Sequence, residues 1–161
     1  MTIEDQFKSA LASWASGVSV VSAVEDGLSY GLTVSSFSSL SLKPPLVLVC
    51  INNHNRLVGM VERSGKFAVS ILARDQESAS NACAMPRREP AETLFDGEVM
   101  TTPGGLPCVA GAAGWVDCSL HQSLVQGDHT ILVGRVEAAC GDDSRAPLLY
   151  FRRKYRGVDD G

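Results

Sequence analysis

Gly31-Leu-Thr-Val-Ser-Ser-Phe-Ser-Ser-Leu-Ser-Leu-Lys-Pro-Pro45, followed directly by Leu46-Val-Leu-Val-Cys-Ile51, is the stretch on which the reading of this chain turns. Two strand-like runs flank a cluster of small hydroxyls: Thr33, Ser35, Ser36, Ser38, Ser39 and Ser41. None of them adds charge. Such a surface offers many donors and acceptors to a flat, polar ligand. The residue types also fit a plainer picture, a polar edge strand with a serine-rich loop, because Ser and Thr readily bond to nearby backbone. Pro44-Pro45 stiffens the exit into the apolar run. That run is short and continuous, as expected of a buried strand.

Outward from this stretch, the patterns are mostly those of strands. Ile3, Phe7, Leu11, Trp14 and Ala15 recur at helical spacing, which predicts an amphipathic helix over 3–16, capped by Thr2 and stopped at Gly17. Val18–Val24 alternates, Glu25-Asp-Gly27 is a turn signal, and Leu28–Ser35 returns, which predicts a β-hairpin. Asn53 or Asn55 caps a helix over Arg56–Ser64 that ends at Gly65. Phe67–Leu72 reads as a strand, and Asp75 begins a helix through about Ala84. Met85–Glu92, with two prolines and several charges, reads as a loop, and Thr101–Pro107 as a turn. Trp115–Val125 is a long strand with Asp117 and His121 on one alternating set, and Gly127-Asp128 ends it. His129–Ala139 and Leu148–Phe151 complete the series. About seven strands and two or three helices, without regular βαβ units, predict a mainly β fold. The expected form is a single domain over 1–161, a closed or nearly closed antiparallel barrel with appended helices.

The composition narrows the function classes. Apolar residues make up 45% and charged residues 20%, ordinary for a soluble globular protein. The formal net charge is -4, and basic residues gather only at Arg152-Arg153-Lys154 and Arg156, which argues against nucleic-acid binding. No apolar run approaches the roughly 20 residues that span a bilayer, so no membrane association is expected. The N-terminal segment carries Glu4 and Asp5 and lacks a basic-then-apolar signal pattern, so the expected compartment is cytoplasmic. Cys50, Cys83, Cys108, Cys118 and Cys140 form no C-x-x-C pair, and the histidines show no metal-ligand spacing. No metal is expected. G-x-G-x-x-G and G-x-x-x-x-G-K-[ST] are both absent.

Three further segments carry possible chemistry. Cys50-Ile-Asn-Asn-His-Asn-Arg56 runs from a strand into a helix, where free backbone N–H groups and the helix dipole favour an anion, with Arg56 as a charged fork. An Asn-rich turn with one surface arginine is the alternative. Gly127-Asp-His129 followed by Thr-Ile-Leu-Val-Gly134 places a histidine after a tight turn, where it is either structural or aimed at a ligand. Pro147-Leu-Leu-Tyr-Phe-Arg-Arg-Lys-Tyr-Arg156 offers Tyr155 for stacking and arginines for phosphate. Equally, it reads as a solvated basic tail over a sheet edge.

Together with Ala113-Gly-Trp-Val-Asp-Cys118, these segments resemble the short-chain flavin reductases, the reductase components of two-component flavin-dependent monooxygenases. The resemblance runs from Phe7 to Tyr155 in the family's order. It implies an FMN-binding split β-barrel and an NAD(P)H:flavin oxidoreductase that uses NADH or NADPH with FMN or FAD. It implies that Leu32, Thr33, Val34, Ser35, Ser36 and Ser38 hold the isoalloxazine ring. Cys50, Ile51, Asn52, Asn53, Asn55 and Arg56 would serve the flavin's phosphate, and Ala84 and Tyr155 would also touch the cofactor. His129 is the implied catalytic residue, beside the nicotinamide. The family also implies a homodimer and a monooxygenase partner that receives reduced flavin. Asn53, His54 and Asn55 stand where the family commonly has Ser or Thr, and Cys83-Ala84 stands where Phe-Ala is frequent. Two other uses of the same barrel are a non-catalytic flavin- or haem-binding protein and an oxidase of a pyridoxine-like substrate.

Overall fold

The computed structural model describes residues 1–85 and 89–158. Part of the predicted 85–92 loop therefore lies outside the described residues. Helix α1 (Ile3–Leu11) opens the chain. Thr2 caps it in a capping box, accepting from the Asp5 backbone N–H while the Asp5 carboxylate accepts from the Thr2 N–H. The helix is shorter than the periodicity predicts. Ser13 and Trp14 bond back three residues, to Ala10 and Leu11, which tightens and ends the spiral. The Ala12 carbonyl accepts from the Arg152 N–H at 3.2 Å, so it is not available to continue a helix.

Strand β1 (Ser16–Gly17) leads into the hairpin of β2 (Ser19–Glu25) and β3 (Leu28–Val34). Asp26 and Gly27 both hold left-handed φ, 52° and 76°, which makes a two-residue turn that matches strand twist. The serine cluster departs from the predicted loop. Ser38–Leu42 forms β4, an edge strand paired antiparallel to β5 (Pro45–Asn52). Next come α2 (Arg56–Ser64), β6 (Lys66–Ile71) and α3 (Glu77–Ala84). Asn55 caps α2 through the Leu57 N–H at 2.9 Å, and Gly65 closes it at φ 71°. Asp75 does not begin α3: its carboxylate pairs with Arg145 at 2.6 Å, and Gln76 pins the loop instead through Ala73 and Ala110.

The remaining strands are β7 (Val99–Thr101), β8 (Pro107–Val109), β9 (Gly114–Gln126), β10 (His129–Gly141), β11 (Leu148–Phe151) and β12 (Lys154–Gly157). Seven strands form one antiparallel sheet in the order β3-β2-β6-β9-β10-β5-β4. It is a split barrel, and the sheet is not closed: β3 and β4 are its two edges, consecutive in the chain but not paired with each other. β1, β11 and β12 make a small second sheet, and β7 and β8 a ribbon. Of these, β11 lies where the sequence pattern places a strand, whereas β1, β7, β8 and β12 escape it because two to four residues show no measurable period. A bulge between Val133 and Gly134 leaves His121 unmatched in the β9–β10 register, so the alternation does not carry from buried Asp117 to exposed His121.

Two cores flank β2, whose successive valines point opposite ways. Val21, Val49, Ile51 and Phe67 pack with Leu57, Met60 and Val61 of α2 inside the barrel. Val18, Val20, Leu72 and Leu148 pack under Ala79 and Cys83 of α3. Gly134 lies against Phe67, and a Cβ there would sit 2.5 Å from the ring. Trp115 is only half-buried, at the edge of a smaller cluster around Ala68, Leu106 and Cys108.

Candidate functional site

The chain between the two edge strands, Ser35 to Phe37, crosses the split. Ser36 Oγ donates to the Cys50 carbonyl at 2.8 Å and accepts from the Cys50 N–H at 3.1 Å. The β4–β5 ladder stops short of Cys50, at Ser38 and Leu48. One side-chain hydroxyl therefore stands in for a missing strand residue. Thr33 is likewise engaged, its hydroxyl donating to the Ser80 carbonyl at 2.6 Å, and Ser38 donates to Ser39. Ser35 is exposed and makes no side-chain hydrogen bond among the described residues. Ser29 bonds Ala91 along the outer edge of β3, so by the two-residue alternation Thr33 turns its backbone N–H toward that same outer edge. Leu32 and Ile51 send their side chains into the barrel core.

Two clefts meet at this crossing. The smaller, about 210 Å³, is lined by Thr33, Val34, Ser35, Ser80, Ala84, Tyr150 and Tyr155, with Val18 at its floor. Its wall is ordered by hydrogen bonds: Tyr155 Oη donates to Asn81 Oδ1 at 3.1 Å and lies 2.6 Å from Ser80 Oγ. Tyr150 meets Tyr155 edge-on, with ring centroids 5.5 Å apart. The larger cleft, about 470 Å³, shares Ser35 and Tyr150. Ser16, Ser36, Lys8 and Leu11 of α1, Ala12 and Trp14 just after it, and the turn residues Arg152 and Arg153 complete it.

The strand-to-helix turn is more self-contained than its sequence suggests. Asn52 Oδ1 accepts from the His54 N–H, and the Asn55 side chain accepts from Leu57. Asn53 ties the turn to the β9–β10 connection: its amide donates to the Gly127 carbonyl at 3.1 Å and accepts from the Thr130 hydroxyl at 2.7 Å. Arg56 is bidentate to Glu89, at 2.7 and 2.9 Å, with its guanidinium over the Tyr30 ring. These partners occupy donors that a phosphate would otherwise use.

His129 begins β10, opposite Asn52 of β5. Its Nδ1 lies 2.7 Å from Asp128 Oδ1, and the ring is about half exposed. The hydrogen bond to His129 and its charge hold the Asp128 carboxyl below the usual carboxylate range. By strand geometry His129 stands two residues along and one strand across from Cys50, about 8 Å away. It lines neither cleft described above. The predicted residues thus fall into two groups. Thr33, Val34, Ser35, Ala84 and Tyr155 gather in the small cleft, Asn52, Asn53 and His129 at the far end of β5, and the Ser36–Cys50 bond joins them. Lys8, Trp14, Ser16, Ser80 and Tyr150 were not singled out from the sequence as site residues, and only Tyr150 lay within a segment that was. Burial pushes the thiols of Cys108 and Cys118 up to about 11 and about 12, which keeps both neutral and unreactive.

The sequence profile described as "Flavin reductase like domain" matches residues 11–159. The chain belongs to this flavin reductase family. The reductase component of 4-hydroxyphenylacetate 3-monooxygenase from Thermus thermophilus is 38% identical over 154 residues, covering 96% of this chain and 96% of that protein. The flavin-dependent monooxygenase reductase subunit HsaB from Rhodococcus jostii is 36% identical and covers 96% of this chain and 77% of its own length. Among solved structures, BorF, the flavin reductase component of a bacterial two-component tryptophan halogenase, superposes with a TM-score of 0.90 at 34% identity, over 98% of this chain and 99% of that one.

Proposed function

We propose that this protein is an NADH:flavin oxidoreductase that reduces FMN or FAD and passes the reduced flavin to a separate monooxygenase. The observation that carries this reading is the pair of adjoining clefts that share Ser35 and Tyr150. Hydride transfer from nicotinamide C4 to flavin N5 supplies the chemistry, and the protein's part is to hold two flat rings face to face. The donor set fits an isoalloxazine edge: neutral hydroxyls and an edge-strand N–H, with no carboxylate among the described residues that line either cleft. Thr33, Ser36 and Ser38 act through the backbone they fix, because their hydroxyls are engaged within the chain. Ser35 supplies the free hydroxyl. Asp128 fixes the ring of His129 through Nδ1, which leaves Nε2 for the nicotinamide.

The active form is a homodimer. α1 buries none of its residues, and Ile3, Phe7 and Leu11 are 71%, 60% and 52% exposed along one stripe. Leu40 and Leu42 of β4 are exposed as well. A second copy covers these surfaces. No helix among the described residues is long and apolar enough to cross a membrane. The protein acts in the cytoplasm as one domain.

The deciding experiment pairs NADH or NADPH with FMN, FAD or riboflavin and follows the nicotinamide absorbance. Oxidation of NADH that depends on added flavin is expected. Flavin that stays bound through dialysis, with no turnover of added flavin, would overturn the reading.

A further inference from the structure

We infer that the larger cleft grips the phosphoester tail of a ring-bearing nucleotide, with Lys8, Arg152 and Arg153 as its anion contacts. This rests on the reductase reading and assigns a part of the site that the hydroxyl cluster does not cover.

The first observation is where the unpaired cations are. The chain carries a net charge of -4, and three of its arginines are matched by carboxylates. Arg56 pairs with Glu89, Arg63 with Glu25 and Arg145 with Asp75. Among the described residues, Lys8, Arg152 and Arg153 have no carboxylate partner, and all three line one cleft that no acidic residue lines. Three like charges left facing one cavity repel each other and favour an anion between them.

The second observation is the turn that carries two of them. Arg152 and Arg153 hold left-handed φ, 49° and 62°, between β11 and β12. Glycine and asparagine suit such positions, and other side chains adopt them at a cost. The hairpin at Asp26-Gly27 uses the favoured chemistry for the same geometry. Arginine at both positions breaks a local rule: Arg152 lies over the Phe151 ring at 5.0 Å, but neither arginine side chain has a hydrogen bond or ion pair among the described residues, which marks positions kept for their charge. The turn is not loose, because the Arg152 N–H is bonded to the Ala12 carbonyl at the end of α1. Lys8 and the two arginines therefore line one cleft whose turn is tied to the end of α1.

The third observation is the rest of the lining. Trp14 and Tyr150 offer ring faces, and Ser16, Ser35 and Ser36 line the side shared with the small cleft. An aromatic ring with an anionic tail matches this mixture. A purely apolar ligand does not, since it would leave three charges desolvated. A volume of about 470 Å³ suits part of a nucleotide. The tail has two possible sources, the phosphate of the flavin or the pyrophosphate of the nicotinamide dinucleotide.

The test uses the full chain carrying Lys8→Gln, Arg152→Asn and Arg153→Gly together. Asn-Gly is the preferred pair for this turn, so the fold is retained, and a thermal melt checks it. Binding is measured by calorimetry with FMN, riboflavin and ADP-ribose, and KM is measured for NADH. Each exposed charge is expected to contribute about threefold, so about thirtyfold in all. Weaker ADP-ribose and NADH with unchanged FMN and riboflavin assigns the cleft to the dinucleotide. Weaker FMN with unchanged riboflavin and ADP-ribose assigns it to the flavin. Equal affinities for every ligand in a folded variant, or an equal loss for riboflavin, would overturn the inference. Failure of the wild type to oxidise NADH with any flavin would instead overturn the reductase reading, and the binding arms would still decide the cleft.

Discussion

α1 and α2 are helices of nine residues each, both side-chain capped and both amphipathic, yet one buries four large side chains and the other none. α2 follows a strand of the main sheet and turns back into the barrel, so Leu57, Val58, Met60 and Val61 fill its interior. α1 lies outside, bonded by its end to the β11–β12 turn, and its apolar stripe faces outward. Apolar periodicity shows that a helix has a face to cover. It does not show what covers it.

The largest contrast is expected from matched leucine truncations. Leu57→Ala opens a cavity in a closed core and should cost about 3 kcal/mol in denaturant unfolding. Leu11→Ala removes an exposed side chain and should change monomer stability by less than about 0.5 kcal/mol. Equal losses would mean that α1 is packed and the contrast is wrong. Next in size, Phe7→Asp with Leu11→Asp should weaken self-association at least about tenfold, read by sedimentation equilibrium, with the monomer still folded. A dimer of unchanged affinity would move the interface away from α1. Smaller again, Asn55→Ala should cost about 1 kcal/mol, because the Leu57 N–H then loses its partner in a part-buried setting. Thr2→Ala should cost less than that, since its end of the chain is exposed.

The smallest difference is one of pH. Asp5 is held below the usual carboxylate range, first by the Thr2 backbone N–H and then by its hydroxyl. A depressed folded pKa means that the carboxylate's contribution is present above its ordinary value of 3.8 and disappears as pH falls through the lower, folded value. The cap of α1 should therefore weaken in acid, whereas Asn55 does not titrate and the cap of α2 should hold. Carboxyl carbon shifts of Asp5, followed against pH by NMR, check this. A midpoint at or above 3.8 counts against the capping box.

Local chemistry was readable where the residue type has one use. Asp26-Gly27 at a two-residue turn, Asn55 before α2 and Gly65 after it all took the places their backbone preferences dictate. β4 was missed because its serines suit a loop as well as an edge, and only pairing with β5 decides between them. α3 starts late because Asp75 finds a distant arginine, a partner no local pattern contains. The site shows the same limit. Residue types located the hydroxyls of Thr33 and Ser36, but the fold directs both to backbone carbonyls. Trp14 reads in the sequence as part of a helical stripe and not as a cleft residue, because a stripe beside a cavity and a stripe beside a partner have the same spacing.

The single hydroxyl bridging Ser36 and Cys50 also sets where this sheet is easiest to part. Elsewhere its strands are joined by ladders of several rungs, and separating any pair breaks them all together. At the crossing, two hydrogen bonds are the whole attachment between Ser36 and Cys50, on the order of 2 kcal/mol in net terms. The open side is thus fastened at this point by a clasp and not by a wall, and Ser36, which carries the clasp, also lines the larger cleft.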